Sequence, residues 1–266
     1  MAENRAGDQV SHIELIGPPG TGKSTIYQHL ARRWRPAFNW TLLDAMGYHK
    51  PDTVLHPVSF SYLWNRTRKG KSIRRTSDMA MRFIKEQNEI TRISWEIIDQ
   101  HAHKIRDYDI RIRVAVHTFN RFGKMQFILE HGNGKPCLVD EGLLQRRFML
   151  PEGTMIPEAE IRAYMNAVPA PAAVVALSCD DPEMLMQRIV RRGKKGSNSV
   201  KSNFDDRDLD RIRGQIVGFR KWTELTCSIM EERDIPVFRL DARESLESNA
   251  AKILSFLETP QTSHPG

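Results

Sequence analysis

The chain has 266 residues, with 40 basic against 33 acidic side chains, a formal charge of +7 and 40% hydrophobic residues. That hydrophobic content excludes a wholly disordered chain, and no apolar run approaches the roughly 20 residues of a membrane-spanning helix. Cys137, Cys179 and Cys227 are odd in number and contain no C-x-x-C pair. They argue against a disulfide framework and for buried thiols in a reducing, cytoplasmic setting.

The first nine residues are polar and lack the apolar core of a secretory signal. Residues 11–16 then alternate polar and apolar side chains, which predicts a short strand. The strand runs into Gly17-Pro18-Pro19-Gly20-Thr21-Gly22-Lys23-Ser24-Thr25, a match to G-x-x-x-x-G-K-[ST]. Ile26, Leu30, Ala31 and Trp34 follow at helical spacing, and residues 23–35 contain no Gly or Pro. Glycines let backbone N–H groups converge on an anion, and a helix N-terminus favours negative charge. Lys23 can reach β and γ phosphates, and the Ser24 hydroxyl can ligand a metal ion. The expectation is a nucleoside triphosphate, ATP with Mg²⁺.

Residues 40–43 read as a second strand ending in Asp44, either an acceptor-binding carboxylate or a turn residue before Gly47. Residues 45–75 are irregular, with Arg66, Arg68, Lys69, Lys71, Arg74 and Arg75 clustered near their end. Without interleaved aromatics, a solvated loop is favoured over a nucleic-acid patch. From the N-cap candidates Thr76, Ser77 and Asp78, a helical stripe runs from Met79 to Ile105 and predicts one long helix to about Arg106. Residues 109–131 fit both strand alternation (Ile110, Ile112, Val114, Val116) and a helix; helix is preferred. His101, His103 and His117 have no neighbours at metal-ligand spacing.

After the turn Gly132-Asn133-Gly134, residues 135–140 form a short apolar run ending in Asp140-Glu141-Gly142. A carboxylate at the tip of a strand beside a phosphate loop can hold Mg²⁺ directly or through water, which suits Asp140. Glu141 could orient or deprotonate the attacking group; an exposed acidic turn is the alternative. A helix over 157–166 and a buried strand over 173–177 come next, then a helix capped by Asp180-Asp181 with Pro182 first. It ends in Arg188, Arg191 and Arg192 before Gly193, and residues 193–204 read as a lid loop. The helix dipole alone also favours cations there. A helix over 205–233, a strand over 235–240 and a helix over 245–257 complete the domain, followed by a tail at 259–266 expected to be disordered.

Alternating strands and helices predict an α/β three-layer sandwich on a mainly parallel five-stranded sheet, with the site at the strand C-termini. The chain resembles P-loop kinases of the nucleoside monophosphate and deoxynucleoside kinase type, thymidylate kinase in particular. Four stretches carry the resemblance: Gly17 to Thr25; Leu138 to Gly142; Asp181-Pro182-Glu183 through Arg192-Gly193; and Val237 to Leu257 with Asp241-Ala242. It implies a single kinase-like domain over 1–258, with Arg188, Arg191 and Arg192 clamping the transferred phosphoryl group. Lys23, Asp140, Glu141, Arg188 and Arg192 would be catalytic, Ser24 and Asp140 would hold the metal, and the stretch after Asp241-Ala242 would lie near the adenine. The D-R-[YFH] or E-R-S sequences of thymidylate and deoxynucleoside kinases are absent, with Asp140-Glu141-Gly142 in their place. Lys23 and Asp140 lie 117 residues apart, so 45–131 reads as an enlarged helical acceptor region. Phosphoryl transfer to a small-molecule acceptor is the leading expectation. An ATPase switch using Asp140-Glu141 and a nucleic-acid end kinase are the rivals. No membrane partner is expected, and monomer and homodimer both remain open.

Overall fold

A computed structural model describes residues 12–48, 77–102, 108–132, 134–145, 157–194 and 204–258. Five strands, β1 (His12–Ile16), β2 (Thr41–Leu42), β3 (Cys137–Asp140), β4 (Ala173–Ser178) and β5 (Val237–Asp241), form one all-parallel sheet in the order β2-β3-β1-β4-β5. Eight helices are seen among the described residues: α1 (Lys23–Arg33), α2 (77–86), α3 (Asn88–Ala102), α4 (Tyr108–His131), α5 (Glu158–Ala167), α6 (Pro182–Lys194), α7 (Asp206–Glu232) and α8 (Leu246–Glu258). None is long and apolar enough to cross a membrane.

Side chains of successive strand residues point to opposite faces, so each strand feeds two cores. Ile13, Leu15, Leu138, Val175, Leu177 and Leu240 pack with Ile26 and Leu30 of α1 and with Ala250, Ile253 and Leu257 of α8. On the other face, Ile16, Val139, Val174 and Ala176 join a larger core with Phe83, Ile90, Phe122, Tyr164 and Trp222. Both faces are covered, as a parallel sheet requires. The order puts β1 between β3 and β4, with β2 and β3 on one side and β4 and β5 on the other. This reversal opens a crevice beyond the carboxyl end of β1, where the glycine-rich loop sits.

The elements follow the sequence expectation with four differences, of which the smallest is that the last strand, expected over 235–240, is Val237–Asp241. The second strand shortens to Thr41–Leu42, and Leu43 enters the turn that carries Asp44. The long helix expected to about Arg106 is broken at Gln87 into α2 and α3. Thr91 Oγ1 donates to Gln87 O (2.8 Å) and Ser94 Oγ to Ile90 O (2.6 Å), side-chain bonds to preceding carbonyls of the kind that bend a helix. Gly193 lies inside α6, so the arginine-bearing helix runs one turn position further than its glycine suggests. The basic cluster Arg66 to Arg75, most of the 193–204 loop and the tail lie outside the described residues.

The ambiguous 109–131 segment is helical. Its strand-like alternation is a surface accident: Val114 is buried, whereas Ile112 and Val116 are exposed. What fixes the helix is the stripe Phe122, Met125 and Ile128, all buried. Phe122 stacks on Phe83 of α2 with ring centroids 4.8 Å apart and meets Trp95 of α3 edge-on at 6.5 Å. Phe122→Ala is therefore expected to destabilise the chain by about 3–5 kcal/mol, measured by chemical denaturation. A loss below about 1 kcal/mol would mean that α4 does not dock by this face.

Candidate functional site

The glycine-rich loop takes its shape from close contacts behind it. At Gly17, φ is +146°, and an added Cβ would lie 2.3 Å from the Leu177 carbonyl oxygen of β4. At Gly20, φ is +85°, and a Cβ would lie 2.8 Å from Leu185 O of α6. No side chain fits at either position, so the loop backbone presses directly on β4 and α6. Thr21 Oγ1 donates to Pro18 O (2.8 Å), tightening the turn. The helix that follows, α1, begins at Gly22 with no capping side chain and no acidic residue in its first turn. Its first N–H groups thus keep the capacity to bind an anion.

Lys23 is buried, and its ammonium donates to Gly17 O (2.6 Å) and Pro18 O (2.9 Å). Burial lowers its pKa from 10.5 to about 8, while the negative charges of Asp140 and Glu141 oppose the shift. Lys23 therefore remains a cation at neutral pH, held against its own loop.

Asp140 ends β3 beside β1, paired in register with Leu15. Its Oδ1 is buried with no hydrogen-bond partner among the described residues. An unbonded buried carboxylate oxygen is costly unless a cation or donor meets it. The half-buried Ser24 hydroxyl, at the first turn of α1, is a second hard oxygen donor. Two such donors suit Mg²⁺, which keeps several waters and shares phosphate oxygens instead of taking an all-protein cage. No cluster of three or more His, Cys, Asp or Glu residues able to hold a metal occurs among the described residues.

Glu141 has φ +69°, left-handed backbone that a non-glycine residue adopts at a cost of order 1 kcal/mol. Arg121 of α4 holds the turn, donating from Nη1 to Gly142 O (2.9 Å) and from Nη2 to the Glu141 carboxylate (3.4 Å). Lys124 Nζ lies 3.4 Å from Glu141 O.

These groups face a cleft of about 750 Å³. It is lined by Pro19 to Ile26, by Glu141 and Gln145, and by Arg188, Arg191 and Arg192. Ile189, Phe219, Ala242 and Leu246 add an apolar patch. Arg188 Nη1 donates to Ala242 O (3.0 Å) and lies 3.5 Å from Gly20 O, so this guanidinium bridges the loop and the end of β5. Arg191 and Arg192 are exposed.

Of the residues singled out from sequence, Pro19, Gly20, Thr21, Gly22, Lys23, Ser24, Thr25, Glu141, Arg188, Arg191, Arg192 and Ala242 line one cleft. Gly17, Pro18 and Asp140 are not among the lining residues, but the carbonyls of the first two accept from Lys23 and the charge of Asp140 acts on it. Asp241 turns away. Its carboxylate accepts from the Arg243 backbone N–H (2.8 Å) and from Arg243 Nε (2.8 and 3.0 Å), a turn-closing role after β5 that holds its pKa below the ordinary value. Asp44 is exposed in the turn after β2 and is not part of the cleft lining.

Sequence reasoning missed Gln145, Arg121, Phe219 and Glu14. Gln145 and Arg121 carry no motif, and Phe219 reads as one more apolar residue of a long helical stripe. Glu14 was legible only as an oddity, a lone carboxylate on a strand next to the phosphate loop. A scan of protein-family models and a search of curated proteins each return no match to this chain. The fold and site together define an α/β chain with an all-parallel sheet and a glycine-rich loop at its switch point.

The lowered pKa of Lys23 has a signed consequence. Between about 8 and 10.5 the unfolded chain binds a proton at Lys23 that the folded chain has released, so stability rises with pH across that window. The stability difference between wild type and Lys23→Met should therefore move in favour of wild type as pH increases through it. Denaturation at pH 7, 8.5 and 9.5 measures this, and a flat difference would show that Lys23 is not buried as described.

Proposed function

We propose that the chain is an ATP- and Mg²⁺-dependent phosphotransferase of the P-loop type, acting on a small-molecule acceptor. One observation carries this reading. The Gly17 to Thr25 loop opens an uncapped helix at the tip of the central parallel strand, beside the strand that ends in Asp140 with its unbonded Oδ1, on a cleft lined by three arginines. The strand order with β1 between β3 and β4 supports the same class, since such sheets bind ligands at that crevice.

In this reading, the loop N–H groups and the first turn of α1 bind the β and γ phosphates. Lys23 turns from the Gly17 and Pro18 carbonyls toward the triphosphate, exchanging two neutral acceptors for a charged one. Ser24 and Asp140 would hold Mg²⁺, which neutralises charge on the phosphate oxygens when bound. Arg191 and Arg192 neutralise charge spreading over the transferred group in the transition state. Arg188, already tied to Ala242 O and Gly20 O, orients the apolar end of the cleft for the nucleobase. Glu141, on its left-handed turn, accepts the proton of an acceptor hydroxyl or orients the attacking group.

The test is ATP consumption with Mg²⁺ against a panel of nucleosides, nucleoside monophosphates, sugars and oligonucleotides. Stimulation by one small acceptor with a phosphorylated product is the expected result. Brisk hydrolysis indifferent to every acceptor would favour an ATPase switch, and steeply salt-dependent stimulation by oligonucleotides an end kinase. Lys23→Ala is expected to lower turnover by about a hundredfold or more while the far-UV circular dichroism stays native. Arg192→Ala should lower kcat by about tenfold or more with a smaller change in KM for ATP, the signature of a contact made chiefly in the transition state.

A further inference from the structure

Gln145 makes a reciprocal pair with the first residue of the glycine-rich loop. Gly17 N donates to Gln145 Oε1 (2.9 Å), and Gln145 Nε2 donates back to Gly17 O (2.8 Å). Gly17 O therefore has two donors, Gln145 Nε2 and the Lys23 ammonium. If Lys23 leaves for a phosphate, one of them remains.

The backbone that carries this carboxamide is held in turn. Residues 142–145 form a short turn whose backbone polar groups are met by four different elements. Glu14 of β1, fully buried, accepts from Leu144 N (3.0 Å) and Gln145 N (2.9 Å). Arg121 of α4 donates to Gly142 O, Tyr164 of α5 to Leu143 O (3.0 Å), and Trp222 of α7 to Leu144 O (3.1 Å). Burial alone would push the Glu14 carboxyl up, but the His12 ring, 3.7 Å away, and the two N–H donors outweigh it and hold the pKa below the ordinary value. Gly142 closes the bracket. A Cβ there would lie 2.4 Å from Glu14 Oε2, so no side chain can separate the turn from the carboxylate.

We propose that Gln145 is a positioning residue that keeps the glycine-rich loop in its anion-binding shape after Lys23 has left Gly17 O for the triphosphate, with Glu14 as the buried anchor that sets its carboxamide. The inference rests on the reading that the cleft binds a nucleoside triphosphate. A fold-only role predicts a loss of stability when Gln145 is replaced. The positioning role predicts a loss of triphosphate affinity in chains that remain folded, because an unheld loop must be ordered by the ligand itself.

The test uses the full chain, the fluorescent nucleotide mant-ATP with Mg²⁺, and the variants Gln145→Leu, Gln145→Glu and Lys23→Met. Wild type should bind. Gln145→Leu should bind about tenfold more weakly with native circular dichroism. The double variant Lys23→Met with Gln145→Leu should show non-additive losses, since both side chains act on one carbonyl. Gln145→Glu is nearly isosteric and carries the test if the leucine variant does not fold. Its ionised carboxylate opposes Gly17 O, whereas its protonated form restores a donor. Its affinity relative to wild type should therefore recover as pH falls from 8 to 5.5, with Lys23, Asp140, Glu141, Glu14 and His12 common to both chains. Unchanged affinity in a folded Gln145→Leu, or a pH-independent ratio for Gln145→Glu, would overturn the positioning role while leaving nucleotide binding intact. Failure of wild type to bind mant-ATP would overturn both readings together.

Discussion

The carboxylate of Glu14 is the fixed point from which the site is built. A charged side chain in the middle of a fully buried strand is costly unless its oxygens are met by donors. Here the donors are two backbone N–H groups of the turn after β3, with the His12 ring alongside. The same bonds satisfy a turn that would otherwise bury unpaired amides. Sheet and turn thus depend on each other: neither the carboxylate nor the turn is stable in this place alone. Because the turn carries Gln145, and Gln145 grips Gly17, the geometry of the phosphate loop is referred back to the interior of the sheet.

A second constraint acts from the opposite side. The loop touches β4 at Gly17 and α6 at Gly20 with no room for a side chain, so its rear surface is backbone against backbone. Gln145 holds the loop laterally, β4 and α6 support it from behind, and Lys23 ties it across its own opening. A loop restrained in this way has little conformational freedom left to lose when it meets an anion, which is the usual route by which binding sites gain affinity without adding contacts.

The parts of this arrangement legible in the sequence are those encoded locally. The strand, glycine loop and helix at 12–33 follow from spacing alone, and the apolar run to Asp140 declares a strand tip. The all-parallel sheet follows from strands separated by helices. Less legible were features set by contacts between distant segments. The break at Gln87, where Thr91 bonds back to the Gln87 carbonyl, is a local choice that the hydrophobic stripe does not record. The closing of the turn after β5 by Asp241 and Arg243, two residues on, is likewise announced by no motif. Gln145 could not be found by pattern, because its role exists only once Glu14, 131 residues earlier, has fixed its backbone.

The helix α7 gives this architecture a mechanical property. At 27 residues it is a rod of about 40 Å. Near its start, Arg213 pairs with Glu183 on α6, the helix bearing the cleft's arginines; further along, Phe219 lines the cleft and Trp222 donates to Leu144 O. The arginine-bearing helix and the turn that presents Gln145 thus both rest on one long helix. A displacement of α6 must therefore break the apolar packing of Leu185 and Ile189 against Ile212 and Ile216 or carry α7 with it, and α7 is bonded to the turn.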